Sequence, residues 1–579
     1  MVHSVDTAEI RAIVASASAR TGPLTLGQRN VLRWIHRETD GRSRCIPGFT
    51  EVPAGRSVAE IAEAIGALLA RHEALRTHYL PGADGEPVQR VLPEGSVPIE
   101  VREVVGDAHA FVLDVLAVAL ARPFEVDRGL PVRVTVFTGG GAPFLVMCTV
   151  SHVAVDVGGA EVLARQLRTL LDGAALDTPP HQPIEHAAWE NSAAGLRRRA
   201  AALEHWSTQL NRMPQAMFAL PPHPDGTPGY REALLRSRAL AMAVRTLPVS
   251  PSAAVLAAGV VLAALYTDTP SGAFISVCGN RFRPLWRDYV GTIAQDAIIP
   301  FAVGRDATFL DIARRLQLDA MNAYRYAQFD AARLWEIIDA VCARRGTSFH
   351  RDWVFNDIGV HADRRSTEPA PLDADSLVRA IEETTVEFVT DADLPAAFFL
   401  TLAGVSDDCV DIRLYADTEF LPPHGITGFL LAMERLLVTA ALRPVRIDEI
   451  GELTGITPVE RDGADWVRVD SCWVSIAATT ALLHTVPGIK NARVWHDNGQ
   501  LIAYLVGDFA LRPADVHRAA LAALPGRPAA MCPHEYVVCT SLPHNPDDRE
   551  AWRRQSVSSA GTGRDENTES IVDIKNPVS

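Results

Sequence analysis

Lysine is almost missing: of 55 basic side chains in 579 residues, only Lys490 and Lys575 are lysines, a scarcity that GC-rich coding alone would produce. Metal-binding and redox patterns are missing too. The eight cysteines (45, 148, 278, 342, 409, 472, 532 and 539) form no C-x-x-C pair and have no histidine at ligand spacing, so reduced thiols and no metal are expected. No Walker A loop is present, and no Gly-Gly-x-Ser attachment site for phosphopantetheine occurs in the sequence. The first twenty residues lack a basic region followed by an apolar stretch and a small-residue cleavage site, so no secretion signal is visible. The longest apolar run, 253–266, is too short to cross a bilayer. Positive charge is short overall: 55 basic against 70 acidic side chains give a net charge of −15, which disfavours loose binding to nucleic acid or an anionic membrane. A soluble, cytoplasmic protein is the expectation.

What is present is a composition suited to folding, 48% hydrophobic and 22% charged, at a length that calls for two or three domains. Residues 58–80 place Val58, Ile61, Ile65, Leu68 and Leu69 at helical spacing behind a Ser57 cap, which predicts one amphipathic helix. Alternating or β-branched runs, PVQRVLP and PVRVTVF, read as strands, and FLVMCTVSH reads as a buried strand after a glycine turn. A helical pattern, VGGAEVLARQLRTLLDG, follows at once. Strands alternating with helices predict an α/β (α+β) fold. Prolines 179, 180 and 183 mark a break before a helical stretch around Trp189 to Trp206. The second half repeats the style, with a helix from Pro251 to Tyr266, strands AFISVCGNR, DWVFNDIGV and VDIRLYA, and a helix ending near Leu442. From Thr457 a small α+β unit is expected, and past Arg554 a polar Gly/Ser-rich tail. The expected divisions are 1–180, 181–452, 453–555 and a disordered 556–579.

Chemistry concentrates at T149-V-S-H-V-A-V-D-V-G158, where His152 and Asp156 straddle a strand end. A neutral imidazole with an ordinary pKa of about 6.5 accepts a proton from an attacking amine or hydroxyl. Taken alone, the same residues suit a satisfied histidine and a helix N-cap equally well. Around them lie L24-T-L-G-Q-R-N-V-L-R-W34, R71-H-E-A-L-R-T77, R122-P-F-E-V-D-R-G-L-P-V-R133, C278-G-N-R-F-R-P-L-W-R-D-Y-V-G291 with Gln295, and F355-N356. In this order, from about Leu24 to Leu442, they resemble the motifs of the condensation domains of nonribosomal peptide synthetases, whose hallmark is H-H-x-x-x-D-G. The sequence departs from the hallmark at Ser151, in place of the first histidine, and at Val157, in place of the glycine, although Gly158 and Gly159 follow.

The resemblance implies a V-shaped pair of chloramphenicol-acetyltransferase-like lobes with a tunnel at their junction. It implies a free-standing enzyme that joins an acyl thioester, carried on the phosphopantetheine of a separate carrier protein, to an amine or alcohol acceptor. His152 would be catalytic, with Asp156 and Arg281 as a structural ion pair, Ser151 and Gly158 in support, and Gln295 and Asn356 lining the tunnel. No cofactor of the chain's own is implied. Two other readings share these motifs: a non-catalytic condensation-like module that recruits partner proteins, and an O-acyltransferase of the kind that builds lipid esters. Residues 466–552, through A481-L-L-H-T-V-P-G-I-K-N-A-R-V-W, L501-I-A-Y-L-V and L542-P-H-N-P-D-D-R-E, resemble the C-terminal subdomain of adenylate-forming enzymes. In those enzymes a P-N-G-K-x-D-R loop supplies a lysine to the adenylate. Here Asn545, Pro546, Asp547, Asp548 and Arg549 hold that stretch without one, so adenylation is not expected and a docking surface, a lid or an inert remnant remains.

Overall fold

The computed structural model describes residues 10–15, 19–37, 45–83, 85–176, 180–359, 373–389, 396–508 and 511–564. Its contacts divide the chain into two units. The first is Met1–Ala202 with Cys278–Asp296 and Tyr326–Ala331; the second is Leu203–Val277, Ala297–Arg325 and Ala332–Ser579. The stretch around Arg281 therefore belongs to the unit that contains His152.

In the first unit, strands β1 (Arg11–Val14), β2 (Arg20–Pro23), β3 (Cys45–Glu51), β4 (Thr77–Pro81), β5 (Pro87–Val91), β6 (Gly95–Glu103), β7 (Val132–Gly139) and β8 (Ala142–Ser151) form two sheets. The larger runs β1-β6-β7-β8-β3 and the smaller β2-β5-β4. In the larger sheet only β6 and β7 run parallel; β8 is flanked by antiparallel β7 and β3, which fixes the strand that ends at Ser151 from both sides. The helices are α1 (Leu26–Arg37), α2 (Val58–Arg71), α3 (Ala108–Ala121), α4 (Val157–Leu171) and α5 (Pro183–Glu190). Helix α2 begins with a Ser57–Glu60 capping box and buries Ile61, Ile65, Leu68 and Leu69 in one core with Val162, Leu163 and Leu167 of α4.

The single helix expected over 58–80 is corrected: α2 stops at Arg71, Glu73–Arg76 is one 3-10 turn, and Thr77–Pro81 is strand β4. The cause is local. His72 leaves the helix with extended backbone angles, its side chain buried against Gln166 of α4, and the Arg76 guanidinium donates to the carbonyls of Leu69 and Leu92. Partners for two polar side chains, His72 and Arg76, thus outweigh the helical periodicity. The stretch around Trp189 to Trp206 is likewise two helices, α5 and Ala193–Leu210.

The second unit holds a seven-stranded sheet of β9 (Tyr230–Ser237), β10 (Ser271–Cys278), β11 (Gln295–Ala302), β12 (Trp353–Asp357), β13 (Thr385–Val389), β14 (Phe398–Val405) and β15 (Val410–Asp417), in the order β11-β10-β12-β14-β15-β9-β13. Helix α6 (Pro251–Tyr266), capped by Ser250, has every residue from Ala253 to Ala264 buried. Its Gly259 lies so close to β14 that a Cβ there would stand 2.5 Å from Leu400 Cδ2. The last long helix of this unit, Pro423–Leu442, has the length and apolarity of a membrane span. It is a core helix instead, with Phe429, Met433 and Leu437 buried and the Glu434 carboxylate accepting hydrogen bonds from Ser237 and Thr384.

Past Gly455 come a hairpin, β16 (Trp466–Val469) and β17 (Cys472–Ser475), and a sheet ordered β18 (Ile489–Asp497), β19 (Gln500–Gly507), β20 (Glu535–Cys539) and β21 (Val557–Gly561). These strands share the second unit. Gln215 donates to the carbonyls of Pro528 (2.8 Å) and Ala530 (2.7 Å). Arg345 donates to the carbonyls of Leu210 and Met213 and pairs with Asp470 at 3.0 Å. Arg461 donates to the carbonyls of Ala219 and Thr267 with its guanidinium 4.4 Å above Trp473. The tail expected to be disordered from 556 is corrected for its first part. β21 pairs antiparallel with β20, whose backbone supplies the hydrogen bonds that a Ser/Gly composition does not advertise. The remainder, with Lys575, lies outside the described residues, as does Pro179.

Candidate active site

β8 ends at Ser151 and α4 starts at Val157, so five residues make the turn that presents His152. Ser151 is buried at 2% exposure; its amide donates to the Pro131 carbonyl and its own carbonyl accepts from the amides of Ala154 and Val155. Val153, Ala154 and Val155 are all fully buried beneath the turn. The loop is therefore anchored by its backbone and its apolar side chains, while His152 stays half-buried.

Asp156 caps α4 through the Gly159 amide at 2.9 Å, and the structure brings Arg281 onto the same carboxylate with both nitrogens, at 2.5 and 3.0 Å. The amides of Ile293 and Ala294 donate to its second oxygen at 3.1 and 3.0 Å. Burial pushes the Asp156 pKa up, but the Arg281 charge and these hydrogen bonds overcome it and hold the carboxyl below its ordinary value. Arg281 also donates to the carbonyls of Gly279, Tyr289 and Gly291. A carboxylate with five donors is saturated, so it acts as a fixed counter-charge and not as a proton acceptor.

Gly158 and Val157 exchange the importance that sequence assigned them. A Cβ on Gly158 would lie 2.9 Å from Arg281 Nη1 and 3.0 Å from its Cζ, so this glycine makes room for the guanidinium. Val157 is the first residue of α4 and is absent from the left-handed backbone positions, so it does not need glycine's conformational freedom.

Two neighbours of His152, and a glycine packed against one of them, were not read from the sequence. Thr292 Oγ1 donates to the His152 carbonyl at 2.5 Å. The Trp34 ring on α1 meets the imidazole edge-on, with centroids 6.1 Å apart. Gly27 of α1 lets that helix approach: a Cβ there would be 2.2 Å from the Thr292 carbonyl oxygen. Glu161, one turn into α4, is half-buried, and desolvation pushes its carboxyl up to about 7 against the charges of Arg281 and Arg165. Contacts made over more than a hundred residues leave no local pattern; only the small residue in L-G-Q-R hints at a close approach.

Gln295, expected at the tunnel, is fixed by the backbone of Phe329. It is 3% exposed, and its amide both donates to the Phe329 carbonyl (3.0 Å) and accepts from the Phe329 amide (3.3 Å), fastening Tyr326–Ala331 to the first unit. Asn356 lies in the second unit, half-buried on β12 opposite Thr401. Among the described residues no group of three or more His, Cys, Asp or Glu side chains could hold a metal ion.

A half-buried histidine on a strand-to-helix turn, with a saturated Asp–Arg pair behind it, is the arrangement that the H-x-x-x-D stretch forms. Comparison with known proteins assigns the family. Residues 19–385 match the condensation domain family, and the chain belongs to it. It is similar to the probable non-canonical nonribosomal peptide synthetase CymA of Salinispora arenicola, 27% identical over 358 residues, 55% of this chain and 4% of that protein. It is also similar to the AMB antimetabolite synthetase AmbB of Pseudomonas aeruginosa, 35% identical over 215 residues, 35% of this chain and 17% of that protein. The chain thus spans a small part of the length of these relatives. The condensation domain from the monacolin K polyketide synthase MokA superposes with a TM-score of 0.59 at 18% identity, over 74% of this chain and 99% of that one. The likeness bears out the expected fold of chloramphenicol-acetyltransferase type.

Proposed function

We propose that this chain condenses an acyl group, held as a thioester on the phosphopantetheine arm of a carrier protein, with an amine or alcohol in natural-product biosynthesis. The observation that carries this reading is the division of labour at the turn: Asp156 is saturated by Arg281 and three amides, while His152 stays half-buried on a backbone held at both ends. The acceptor nitrogen or oxygen attacks the thioester carbonyl carbon, the C–S bond breaks, and the acceptor's proton passes by way of the imidazole to the departing thiolate. Products are an amide or ester and a free thiol. Alignment of the two substrates supplies most of the rate, with one positioned base.

The C-terminal residues support a non-adenylating role on this reading. The loop that resembles the lysine loop of adenylate-forming enzymes is engaged within its own sheet, Asp547 by Arg493 and Arg549 by Asp497.

The test is an acyl-carrier thioester offered with candidate amines and alcohols and read by mass, comparing wild type with His152→Ala. The expected loss is on the order of 10²-fold or more, the usual weight of a general base. Equal turnover by the two proteins overturns the assignment. Carrier binding without turnover by either points to the recruitment role.

A further inference from the structure

Immediately after Arg281 the chain turns outward. Phe282 is 61% and Leu285 64% exposed, and Arg283, Pro284 and Arg287 are exposed with them. The two residues that face inward, Trp286 and Tyr289, are buried with Ile293 against Trp189 of α5, so the outward face rests on a fixed aromatic base. Arg283 is held by that base, its guanidinium 4.7 Å from the Trp189 ring and 4.8 Å from the Trp286 ring. Asp288, the one acidic residue between Cys278 and Gly291, is taken by Arg165 of α4. Arg283 and Arg287 have no carboxylate partner among the described residues. The outcome is a surface with two unpaired cations and two large apolar side chains, on a chain whose net charge is −15.

We propose that this face, Phe282, Arg283, Leu285 and Arg287, is the docking surface for the carrier domain that delivers the thioester, a partner presenting carboxylates around an apolar helix end. The inference rests on the carrier-dependent reading above and names the place where the carrier lands. Charge narrows the choice of occupant. A partner that presents carboxylates is repelled by most of this acidic surface and drawn to this patch, which both steers and orients it, and the carrier required by the reading above is the partner assigned to it. Exposed aromatic and arginine side chains on a rigid base are the residue types that dominate protein interfaces. The patch begins one residue after the arginine that fixes the catalytic turn, so a docked carrier sits beside the residues that hold His152.

Arg287→Glu and Leu285→Gln, with Arg287→Lys as the conservative control, are titrated with a set of phosphopantetheinylated carrier domains from nonribosomal peptide synthetases by calorimetry. They are also assayed with acyl-pantetheine, a thioester that has no carrier. The expected result is carrier affinity reduced about 10-fold or more in the first two variants and mostly retained in the third, with unchanged melting temperature and unchanged acyl-pantetheine turnover. Salt weakens wild-type binding more than that of Arg287→Glu. Unchanged carrier affinity in both variants overturns the proposal, as does a wild type that binds none of the carriers, or an equal loss with acyl-pantetheine. The two readings fail separately: turnover indifferent to His152→Ala, with carrier binding still weakened at the patch, ends the catalytic assignment and supports the docking one.

Discussion

Gly158 has no room for a methyl group, because the Arg281 guanidinium occupies the place where a Cβ would project. The guanidinium in turn has nowhere to retreat, being held by Asp156 and three backbone carbonyls. Gly158→Ala should therefore displace Arg281 and tilt the turn that carries His152. We expect a fall in kcat of roughly 10²-fold, the effect of misplacing a reacting group by about 1 Å, with a smaller change in KM. Steady-state kinetics beside a melting curve would measure it. Val157→Gly, by contrast, should leave kcat unchanged, and a large gain there would show that the motif glycine matters for more than space. His152 and Asp156 were legible in the sequence because they lie on one local turn among ordered motifs that resemble a known family, the spacing alone being compatible with a helix N-cap. Thr292 and Trp34 were not, because each reaches His152 only after the chain has folded back on itself.

At the level of elements, α2 and α4 are joined by His72 Nε2 and Gln166 Oε1, 2.7 Å apart in the core. Burial lowers the His72 pKa from 6.5 to about 4, with the Gln166 hydrogen bond opposing. Between those values the unfolded chain binds a proton that the folded chain refuses. The stabilisation is complete above pH 6.5 and is lost as pH falls toward 4, on the order of 3 kcal/mol in all. Denaturant melts of wild type and His72→Gln across pH 7 to 4 should converge as the pH drops, and parallel curves would refute it. Elements that announce their own ends were readable: Ser57 caps α2 where the sequence placed it, and α6 runs from Pro251 to Tyr266 as expected. The break after Arg71 was not, since Val58 to Leu80 keeps apolar residues at helical spacing and only burial of His72 and Arg76 stops the helix. β21 was missed for the opposite reason: its residues have little strand character, and β20 recruits them through backbone hydrogen bonds.

On the scale of the whole molecule, the residues after Gly455 are built into the second unit by the bonds of Gln215 to Pro528 and Ala530, of Arg345 to Asp470 and of Arg461 to Ala219 and Thr267, and Trp466 packs with Ala216 and Ala219 in one small core. Removing 455–579 should leave Gln215 without its two carbonyl acceptors, Arg345 without Asp470, the Ala219 and Thr267 carbonyls without Arg461, and Ala216 and Ala219 uncovered, lowering the melting temperature by about 10 °C or more. A truncated chain that melts with the wild type would show the C-terminal sheet to be dispensable. The first unit carries a different dependence, since it is made of three separate stretches of chain. Arg281 lies 125 residues beyond the carboxylate it neutralises. During synthesis at about 5–20 residues per second, Asp156 is joined to the chain roughly 6–25 s before its counter-ion is. The nascent amino-terminal half must wait, solvated and unfinished, for a segment that arrives only after much of its neighbour has been translated.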